Sequence, residues 1–527
     1  MKTSFSYSYP RKGLFYAPHS SDKKYEIDDK NSIVNFPIDS TQDKNNKELS
    51  ELIYHTKQKE EVTMVVIPSL SLPGDCLKDI KGIAHYEIRS LWHILLAKEN
   101  NLKVLFLTSI EFPKEAVIHL LDSMGRRDLL ESRIDFLHFK GSEKLCLSEI
   151  ILSSDNSIKI LKNKLASSKS FLMSFIASSS EEQIAKILNI PFYGVKEIYQ
   201  FYQTKSGNRQ IFKEAQVSYP EGFENLKNEF DVIDAIEKLK INNPETRRMV
   251  VKLDHGVSGK GNALFEMNIS HKHFFKLSKE KRYSLIKSCL NKMSFQVEKM
   301  TWKLFSKQLV NGAVVELFIE GEIKHSPSCQ AVIRPNGKID ILSTHEQLLD
   351  KSGMVFLGCK FPAKNNYRLK LHSETMKVGK KLALKGIIGF FSIDFLVVEK
   401  NNVFESSIIE INLRQGGTTH PYQTARLITD STYTSTGHLL NPDGDFVFYS
   451  SNDNFISKNL IGREFSNLIV HMEAKNLVFT KERGQGVTFH LSTTLKPYGK
   501  IGYIVIANTE EKVLSLRAKI EKELASF

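Results

Sequence analysis

The sequence predicts a protein of several domains, with a parallel α/β domain first and α+β units after it. The chain has 527 residues, enough for about three or four domains of ~150 residues, and its 41% hydrophobic content supports buried cores. Apolar strands alternate with amphipathic helices between residues 61 and 200. From about residue 200 onward, pairs of strands replace this alternation.

Composition excludes several classes of protein. The formal net charge is +13 and the pI is about 9.1, but the lysines are scattered among acids, which argues against nucleic-acid binding and leaves a mild preference for polyanions such as ATP. The five cysteines are widely spaced and predict neither a disulfide framework nor a zinc site. The chain has no apolar leader, and Asp394 interrupts its most apolar run, so we expect a cytoplasmic protein that does not bind membranes.

The α/β part has clear strand and helix signals. Residues 63–72 and 102–109 are buried strands, and the helix between them, 85–100, carries an apolar stripe of Ile88, Leu91, Leu95 and Leu96. Residues 1–50 are polar and have few apolar anchors, so we expect them to form a loosely ordered arm.

The second half is predicted from alternation, turn residues and one helical stripe. A hairpin turn is expected at Pro335 and a terminal helix from Thr509. The remaining predicted elements are strands at 249–253, 262–267, 389–399, 406–414, around 468–474 and around 502–508, and a helix at 372–385.

The stretch GVSGKG, residues 256–261, resembles a phosphate-binding loop. A Walker A loop ends in Lys-Ser or Lys-Thr and leads into a helix, whereas here Gly261 follows Lys260 and a strand follows the loop. The residues alone leave two interpretations open: an ordinary glycine-rich hairpin turn, or a mobile lid over a nucleotide.

Three oxygen-bearing side chains lie in two predicted apolar strands. Glu410 and Asn412 are two residues apart and therefore project from one face, and Asp394 lies in the preceding strand. If the strands pair, the three side chains converge, and oxygen ligands without histidine or cysteine suit magnesium.

Cationic residues accompany this trio. Arg414 projects from the face of Asn412, and Arg334 stands on the expected hairpin, so both arginines are candidates for holding a phosphoryl or carboxyl group. Lys252 would be a point charge for the ATP phosphates, and Lys213 is a second candidate. Residues 316–321 offer a strand end for the adenine, with Glu320 or Glu322 near the ribose.

The ordered motifs resemble the ATP-grasp superfamily. They are SGNRQIFKEAQVSYPEG (206–222), VVKLDHGVSGKGNALFE (250–266), VVELFIEGE (314–322), SIDFLVVE (392–399) and EINLR (410–414). Within the superfamily the chain resembles peptide ligases of the pheganomycin type over residues 60–520. That resemblance lies in VVIPSLSL, GIAHYEIRSLWHILL, SPSCQAVI, STHEQLL, GCKFPA, EINLRQGGTTHPY, GQGVTFHL and GKIGYIVIAN.

The resemblance implies a domain plan. A parallel α/β pre-ATP-grasp domain precedes an ATP-grasp fold of two α+β subdomains, and a small C-terminal α+β domain follows. The expected bounds are an arm at 1–50, the first domain at 51–200, the subdomain with the glycine lid at 201–310, the subdomain with the metal site at 311–430, and the last domain at 431–527.

The resemblance also implies roles for residues. ATP would contact Lys213, Lys252, Gly256, Ser258, Gly259, Lys260, Gly261, Glu316, Phe318, Ile319 and Glu320. Asp394, Glu410 and Asn412 resemble magnesium ligands, and Arg334 and Arg414 resemble the arginines at the reacting carboxyl. The acyl pocket would be shaped by Gln330, Gly416, Gly417, Thr418 and His420. Some ligases of the superfamily have arginine where Ser392 stands here, which leaves more of the charge stabilisation to Arg334 and Arg414.

The predicted activity is ATP-dependent amide formation through an acyl phosphate, with ATP and Mg²⁺ as cofactors and a carboxylate and an amine, small molecules or peptides, as substrates. Two alternatives stay open: an ATP-grasp kinase acting on a hydroxyl, and a catalytically silent ATP-binding module. His345 and His420 are candidates for a general base by position. A homodimer also stays open, because the sequence does not fix the oligomeric state.

Overall fold

The first domain is built on a parallel sheet. The computed structural model describes residues 40–57, 60–71, 82–99, 101–142, 144–256, 261–297, 299–350 and 356–527. Five parallel strands form the sheet in the order β3-β2-β1-β4-β5. They are β1 (Val62–Ile67), β2 (Leu102–Thr108), β3 (Ile134–His138), β4 (Lys169–Ser174) and β5 (Phe192–Tyr193). The predicted parallel α/β architecture is confirmed.

Helices connect these strands because parallel strands need crossover connections. Ile83–Lys98 is a 3₁₀ helix that is buried along most of its length, and in the predicted stripe Ile88, Leu91 and Leu95 are buried while Leu96 is half-buried. The other connecting helices are Lys114–Met124, Leu129–Ser132, Leu147–Leu152, Asp155–Leu165 and Ser179–Leu188, with a 3₁₀ helix at Glu197–Gln203.

The structure departs from the predicted arm at its C-terminal end. A helix spans Ser40–Lys57, and Leu49 on it is fully buried. The Asn45 side chain accepts a hydrogen bond from the backbone N–H of Phe192 at 3.0 Å and donates to its carbonyl at 3.2 Å. An amide side chain can pair in this way with the free edge of β5, so Asn45 helps to attach this helix to the first sheet. Residues 1–39 lie outside the described residues.

A second sheet has its own hydrophobic core. Its order is β6-β10-β7-β8-β9, and its antiparallel β7–β8 pair is the one predicted on either side of the glycine loop. The strands are β6 (Gly222–Phe223), β7 (Arg248–Leu253), β8 (Asn262–Glu266), β9 (Ser294–Phe295) and β10 (Ala313–Leu317). Helices Glu229–Asn242, His271–Lys276, Lys279–Leu290 and Trp302–Phe305 and a 3₁₀ helix at Ser306–Asn311 cover it. The core residues, from Leu226 to Val315, form a cluster separate from the main core.

The third sheet is the largest and has eleven strands. Its first six strands are β11 (Ile323–His325), β12 (Pro327–Ile333), β13 (Ile339–Leu349), β14 (Phe356–Phe361), β15 (Gly389–Lys400) and β16 (Val403–Asn412). The other five are β17 (Thr432–Tyr433), β18 (Leu439–Leu440), β19 (Phe446–Ile456), β20 (Gly486–His490) and β21 (Lys500–Ala507). Helices Asn365–Leu384 and Thr419–Ile428 belong to the same half of the chain.

The C-terminal strands extend this sheet. β19 pairs with β14 of the preceding unit on one side and with β21 on the other. The remaining C-terminal helices are Phe465–Ala474, Leu495–Tyr498 and Glu510–Ser526, with 3₁₀ helices at Lys458–Leu460 and Ser492–Thr494. Hydrogen bonding therefore runs without a break from the central unit into the last hundred residues.

One predicted strand is wrong. Residues 468–474 lie in the helix Phe465–Ala474, in which Phe465, Leu468 and Met472 are buried. Their spacing of three and four residues is that of one helical face, and the apolar cluster between them concealed this period. The terminal helix is confirmed, because the Thr509 side chain accepts a hydrogen bond from the backbone N–H of Lys512 and caps the helix at 510–526.

A buried carboxyl group in the first domain gives a test of this packing. Glu87 accepts hydrogen bonds from the Ser109 N–H at 2.7 Å, the Ser109 hydroxyl at 2.6 Å and the Thr108 hydroxyl at 3.1 Å. Burial nevertheless raises its pKa from 4.5 to about 7. The folded state therefore holds a proton that the unfolded state releases above pH 4.5, so stability falls as the pH rises from 4.5 to about 7.

We expect Glu87→Gln to remove this pH dependence. Relative to the variant, the wild type should lose up to about 3 kcal/mol of unfolding free energy between pH 4.5 and 8, because one pKa unit corresponds to about 1.4 kcal/mol. Thermal melts of both proteins across this pH range measure the difference. A difference in melting temperature that does not change with pH would contradict the assignment.

A candidate nucleotide and metal site between two sheets

Two carboxylates face each other in the third sheet. β15 and β16 are antiparallel, with Asp394 opposite Glu410 and Ser392 opposite Asn412. Directly opposed residues project from the same face, so the three side chains predicted to converge lie together. A bulge follows at once, because Phe395 pairs with Ile408 and leaves Ile409 unpaired. Such bulges bend a strand and are frequent beside active sites.

The surroundings of Asp394 fit a cation. Its two carboxylate oxygens accept hydrogen bonds from the side-chain amides of Gln347, at 2.8 Å, and Asn412, at 2.9 Å. Burial, and then the neighbouring Glu410 charge, raise the pKa of Asp394 to about 6. Two adjacent carboxylates with amide oxygens beside them form the all-oxygen donor set that Mg²⁺ prefers, so these residues fit that ion. Gln347 was not predicted from the sequence.

Lysines supply the opposite charge. Lys205 forms an ion pair with Glu410, and Lys252 on β7 forms one with Glu316 on β10. Burial alone would raise the pKa of Glu410, but Lys205 first, and then Lys252 and Arg414, hold it below its usual value. Lys205 precedes the second sheet and Lys252 belongs to it. Both lysines therefore place positive charge beside Glu410 on the third sheet.

Lys205 is placed by the start of a helix. The Thr204 side chain caps the helix Lys205–Ala215 by accepting a hydrogen bond from the Gly207 N–H. In the first turn of this helix the Ser206 N–H donates to the Asp254 carboxylate at 2.8 Å. Asn208, one turn along, accepts a hydrogen bond from the Ile411 N–H of β16 at 2.7 Å. Sequence reasoning missed Lys205. A threonine followed by a polar first turn indicates the N-terminus of a helix, and that signal would have placed Lys205 in the first turn.

The prediction for Lys213 is not supported. It lies eight residues, or about 12 Å, farther along the same helix and is exposed. The rise along the helix explains the difference, because the first turn reaches Glu410 whereas Lys213 lies on the exposed side of the last turn.

The two predicted arginines have different surroundings. The Arg414 guanidinium donates to the Asn412 side-chain oxygen at 3.1 Å, and burial lowers the pKa of Arg414. Arg334 follows β12 at its far end, where its Nε lies 2.7 Å from the Asp340 carboxylate. In the register of β12, Ser328 is the residue opposite Asp394, so Arg334 lies six residues, or about 20 Å, away along the strand. The structure therefore does not bring Arg334 to the carboxylates.

The segment expected at the adenine crosses between the two sheets. Glu316 is buried against Lys252, with the Arg209 guanidinium 3.6 Å away. Phe318 and Ile319 are half-buried and follow β10 on the way to β11. Exposed Glu320 pairs with Arg248. Of these residues, Glu316 lies nearest the charged cluster.

The base of the glycine loop is closed by backbone contact. A Cβ on Gly256 would lie 2.7 Å from the Cα of Gly261, and a Cβ on Gly261 would lie equally close to Gly256. The Leu253 N–H donates to the Gly261 carbonyl at 2.8 Å. Glycine is therefore required on both sides where the two chains meet. The other predicted loop residues, Ser258, Gly259 and Lys260, lie outside the described residues.

The predicted acyl-pocket residues form a hydrogen-bonded loop. Buried Gln330 donates to the Thr418 hydroxyl and accepts from the Thr419 hydroxyl at 2.9 Å. The Gly416 N–H donates to the Thr419 hydroxyl at 2.9 Å, and a Cβ on Gly417 would lie 2.6 Å from the Phe356 ring. The amide and hydroxyl groups thus fix the backbone of this loop beside Arg414.

The histidines suggested as general bases contact other residues than Asp394 and Glu410. His345 is fully buried and lies 2.6 Å from the Tyr449 hydroxyl, and burial lowers its pKa to about 3. His420 is buried beside His490 and Asp453, and burial lowers its pKa to about 3 as well. Both imidazoles are weak bases in these surroundings.

Two family models match parts of the chain. The model described as IQCH-like, ATP-grasp, matches residues 196–299 and 276–439, and the model of the PGM1 C-terminal domain matches residues 468–520. The first match contains the helix of Lys205, the glycine loop and the carboxylate strands. Residues 196–439 of the chain therefore match an ATP-grasp family, as their motifs predicted.

Curated relatives include an amino-acid ligase. The chain is 26% identical over 372 residues to L-propargylglycine–L-glutamate ligase of Streptantibioticus cattleyicolor, covering 69% of this chain and 73% of that protein. It is 21% identical over 395 residues to IQ motif-containing protein H of Danio rerio, covering 67% of this chain but 37% of that protein. The predicted resemblance to ATP-grasp peptide ligases is therefore confirmed.

Solved structures share the fold. An ADP complex of N5-carboxyaminoimidazole ribonucleotide synthetase has a TM-score of 0.50 and 11% identity, covering 89% of this chain and 98% of that one. Biotin carboxylase from Campylobacter jejuni, in complex with an ATP analogue, has a TM-score of 0.50 and 13% identity, covering 89% and 95%. At these identities the likeness concerns the arrangement of strands and helices. Among the described residues, no helix is long and apolar enough to cross a bilayer.

The two lysines of one helix provide a matched test of the site. We expect Lys205→Met to weaken Mg-ATP binding about 10- to 100-fold, because a hydrogen bond to a charged group is worth about 1.5–3 kcal/mol. Lys213→Met, at an exposed position near the C-terminal end of the same helix, should bind as the wild type does. Isothermal titration calorimetry measures both, with thermal melts to check folding. Equal losses in the two variants would show that Lys205 has no special place in the site.

Proposed function

We propose that the chain is an ATP-dependent carboxylate–amine ligase. It would join the carboxyl group of an amino acid or peptide to an amine through an acyl phosphate, and release ADP and phosphate. The observation that carries the proposal is the convergence of Asp394, Glu410 and Asn412 with Lys205, Lys252 and Arg414 at the meeting of two sheets. A similar amino-acid ligase among the relatives supports the same class of reaction.

The lysines are suited to hold a triphosphate. Lys205 and Lys252 are buried, and each is now paired with a carboxylate. Phosphate oxygens would replace Glu410 and Glu316 as their partners at little electrostatic cost, because one anion substitutes for another. The released Glu410 would then join Asp394 and Asn412 in holding Mg²⁺. When bound, that ion would offset negative charge on the phosphates.

Arg414 is suited to the acceptor carboxylate. Its guanidinium already contacts Asn412, one residue pair beyond Glu410 on the same strand face, so it stands beside the expected γ-phosphate. In the first step a carboxylate oxygen bonds to the γ-phosphorus and the bond to the β-phosphate oxygen breaks, releasing ADP. Arg414 would keep the two anions close while this bond forms.

The second step needs the amine near the same carbon. The amine nitrogen bonds to the acyl carbon, the carbon–oxygen bond to phosphate breaks, and the nitrogen loses a proton. The loop at 416–419, fixed by Gln330, would shape one side of the acyl site.

The remaining features belong to the same proposal. The glycine loop between β7 and β8 would close over the phosphates, and residues 318–320 would contact the adenosine. The separate core of the second sheet supports its being a subdomain that moves as a unit. The domain bounds, with breaks near residues 200, 310 and 430, and the cytoplasmic location are part of the proposal. A homodimer stays open as an alternative to a monomer.

Hydroxylamine trapping tests the reaction. The wild type is first screened for ATP-dependent ADP release across amino acids and peptides, with mass spectrometry of products. With an accepted carboxylate and no amine, hydroxylamine should yield a hydroxamate in step with ADP. Arg414→Ala should reduce trapping about 100-fold or more with a much smaller change in ATP binding, because its charge acts on the transferring group. Arg334→Ala is the matched control and should trap normally.

Two results would contradict this function. A stable phosphate ester as product, with neither amide nor hydroxamate, would identify a kinase. Tight Mg-ATP binding without ADP release for any carboxylate in the screen, even after long incubation, would favour a silent nucleotide-binding module.

A further inference from the structure

A second cluster of chemically active side chains lies apart from the carboxylates. It consists of His420 at the start of the helix Thr419–Ile428, Asp453 on β19 and His490 at the end of β20. All three are at least 92% buried, with relative exposures of 3%, 5% and 8%. The proposed ligase chemistry gives this cluster no task, since His420 does not face Asp394 or Glu410.

The three side chains converge on one point. The Nε2 atoms of His420 and His490 are 3.1 Å apart, and the Oδ1 atom of Asp453 lies 3.3 Å from the first and 3.0 Å from the second. These atoms form a nearly equilateral triangle. Zinc–ligand bonds of about 2.0–2.1 Å in tetrahedral geometry separate the ligand atoms by about 3.3 Å, so an ion just outside the plane of the triangle fits all three.

Hydrogen bonding alone explains this geometry poorly. If Asp453 accepts from both rings, two Nε2–H groups must point at one oxygen while their nitrogens are only 3.1 Å apart. Within the described residues the Nδ1 atoms of both rings are buried and have no hydrogen-bond partner. Every polar contact of the two imidazoles is thus directed at the same small volume.

Neighbouring residues support a built site. The Arg89 guanidinium donates to the other carboxylate oxygen of Asp453 at 3.1 Å, which fixes the direction of Oδ1. Gly502 pairs with His490 across β20 and β21, and a Cβ at that position would lie 2.2 Å from the His490 Nε2. Glycine therefore leaves the space that the ring nitrogen needs. Hydrogen-bonded ligating carboxylates are usual in metal centres.

We propose that His420, Asp453 and His490 bind a zinc-type divalent ion. Two imidazole nitrogens and one carboxylate favour zinc over magnesium, which prefers oxygen ligands. Three protein ligands leave one coordination position open. The ion would tie the helix after the 416–419 loop to strands β19 and β20, and so hold the C-terminal strands against the ATP-grasp part of the chain. This site does not depend on the proposed ligase function.

Metal analysis of the full-length, tag-free protein tests the site. Protein purified from zinc-supplemented culture should contain about one zinc per chain, as measured by inductively coupled plasma mass spectrometry. Dialysis against a chelator should remove the ion and lower the apparent melting temperature, and Zn²⁺ but not Mg²⁺ should restore it. This arm uses only the wild type and therefore does not depend on a variant that folds.

Variants locate the ion. His490→Ala and Asp453→Asn should lose most of the bound zinc, whereas His471→Ala should keep it, since His471 pairs with Glu523 on the C-terminal helices. Glu410→Gln should also keep it, because Glu410 belongs to the other cluster. Wild-type protein with less than about a tenth of an equivalent of zinc and no melting response to Zn²⁺ would overturn the proposal. Equal zinc in the His490, Asp453 and His471 variants would overturn it too.

Discussion

The site depends on the antiparallel register of β15 and β16, which sets Asp394 directly opposite Glu410 on a half-buried face of the sheet. Two adjacent carboxylates that are partly withdrawn from water are unstable unless positive charge lies beside them, and the raised pKa of Asp394 reflects this. Lys205 and Arg414 meet that requirement in the chain itself. The positions of the helix at 205–215 and of the loop after β16 follow from it.

The helix at 205–215 also links the two sheets mechanically. The Ser206 N–H donates to the Asp254 carboxylate, just after β7, and the Asn208 side-chain oxygen accepts from the backbone N–H of Ile411 on β16. The second sheet has its own core, whereas the first domain, the third sheet and the C-terminal strands share one. The described part of the molecule therefore has one large core and one smaller core, and the first turn of a single helix contacts the sheets of both.

Sequence reasoning found the strands of the site but only part of its charge. Alternation and two-residue spacing placed Asp394, Glu410, Asn412 and Arg414 together, because strand periodicity is local and a pairing of neighbouring strands was the simplest arrangement. The sequence does not indicate Lys205, because which end of a helix faces a site depends on packing. The distance of Arg334 from the carboxylates is hidden for a similar reason, since the position of a hairpin turn relative to a distant strand depends on register.

Longer-range pairing was also hidden from the sequence. Gln347 reaches Asp394 from the far side of β12, two strands away from β15 in sheet order, and no spacing in the chain indicates that contact. The continuation of the third sheet through β14 and β19 joins residues about ninety apart. The helix at 465–474 was taken for a strand because a run of apolar residues masked its period. Local sequence pattern therefore predicts the strands that carry the site. Which further side chains join the site depends on tertiary pairing.

The internal ion pairs of the proposed enzyme have a consequence for thermodynamic linkage. In this state Lys205 neutralises Glu410 and Lys252 neutralises Glu316. A nucleotide that binds without a metal would take Lys205 and Lys252 from Glu410 and Glu316 and leave these acids without their ion-pair partners. A metal that binds without a nucleotide would be repelled by the two lysines, which remain beside the acids. Each ligand thus raises the affinity for the other, and this coupling is reciprocal. The empty protein discriminates against either partner alone, and the metal–nucleotide complex is favoured as a unit.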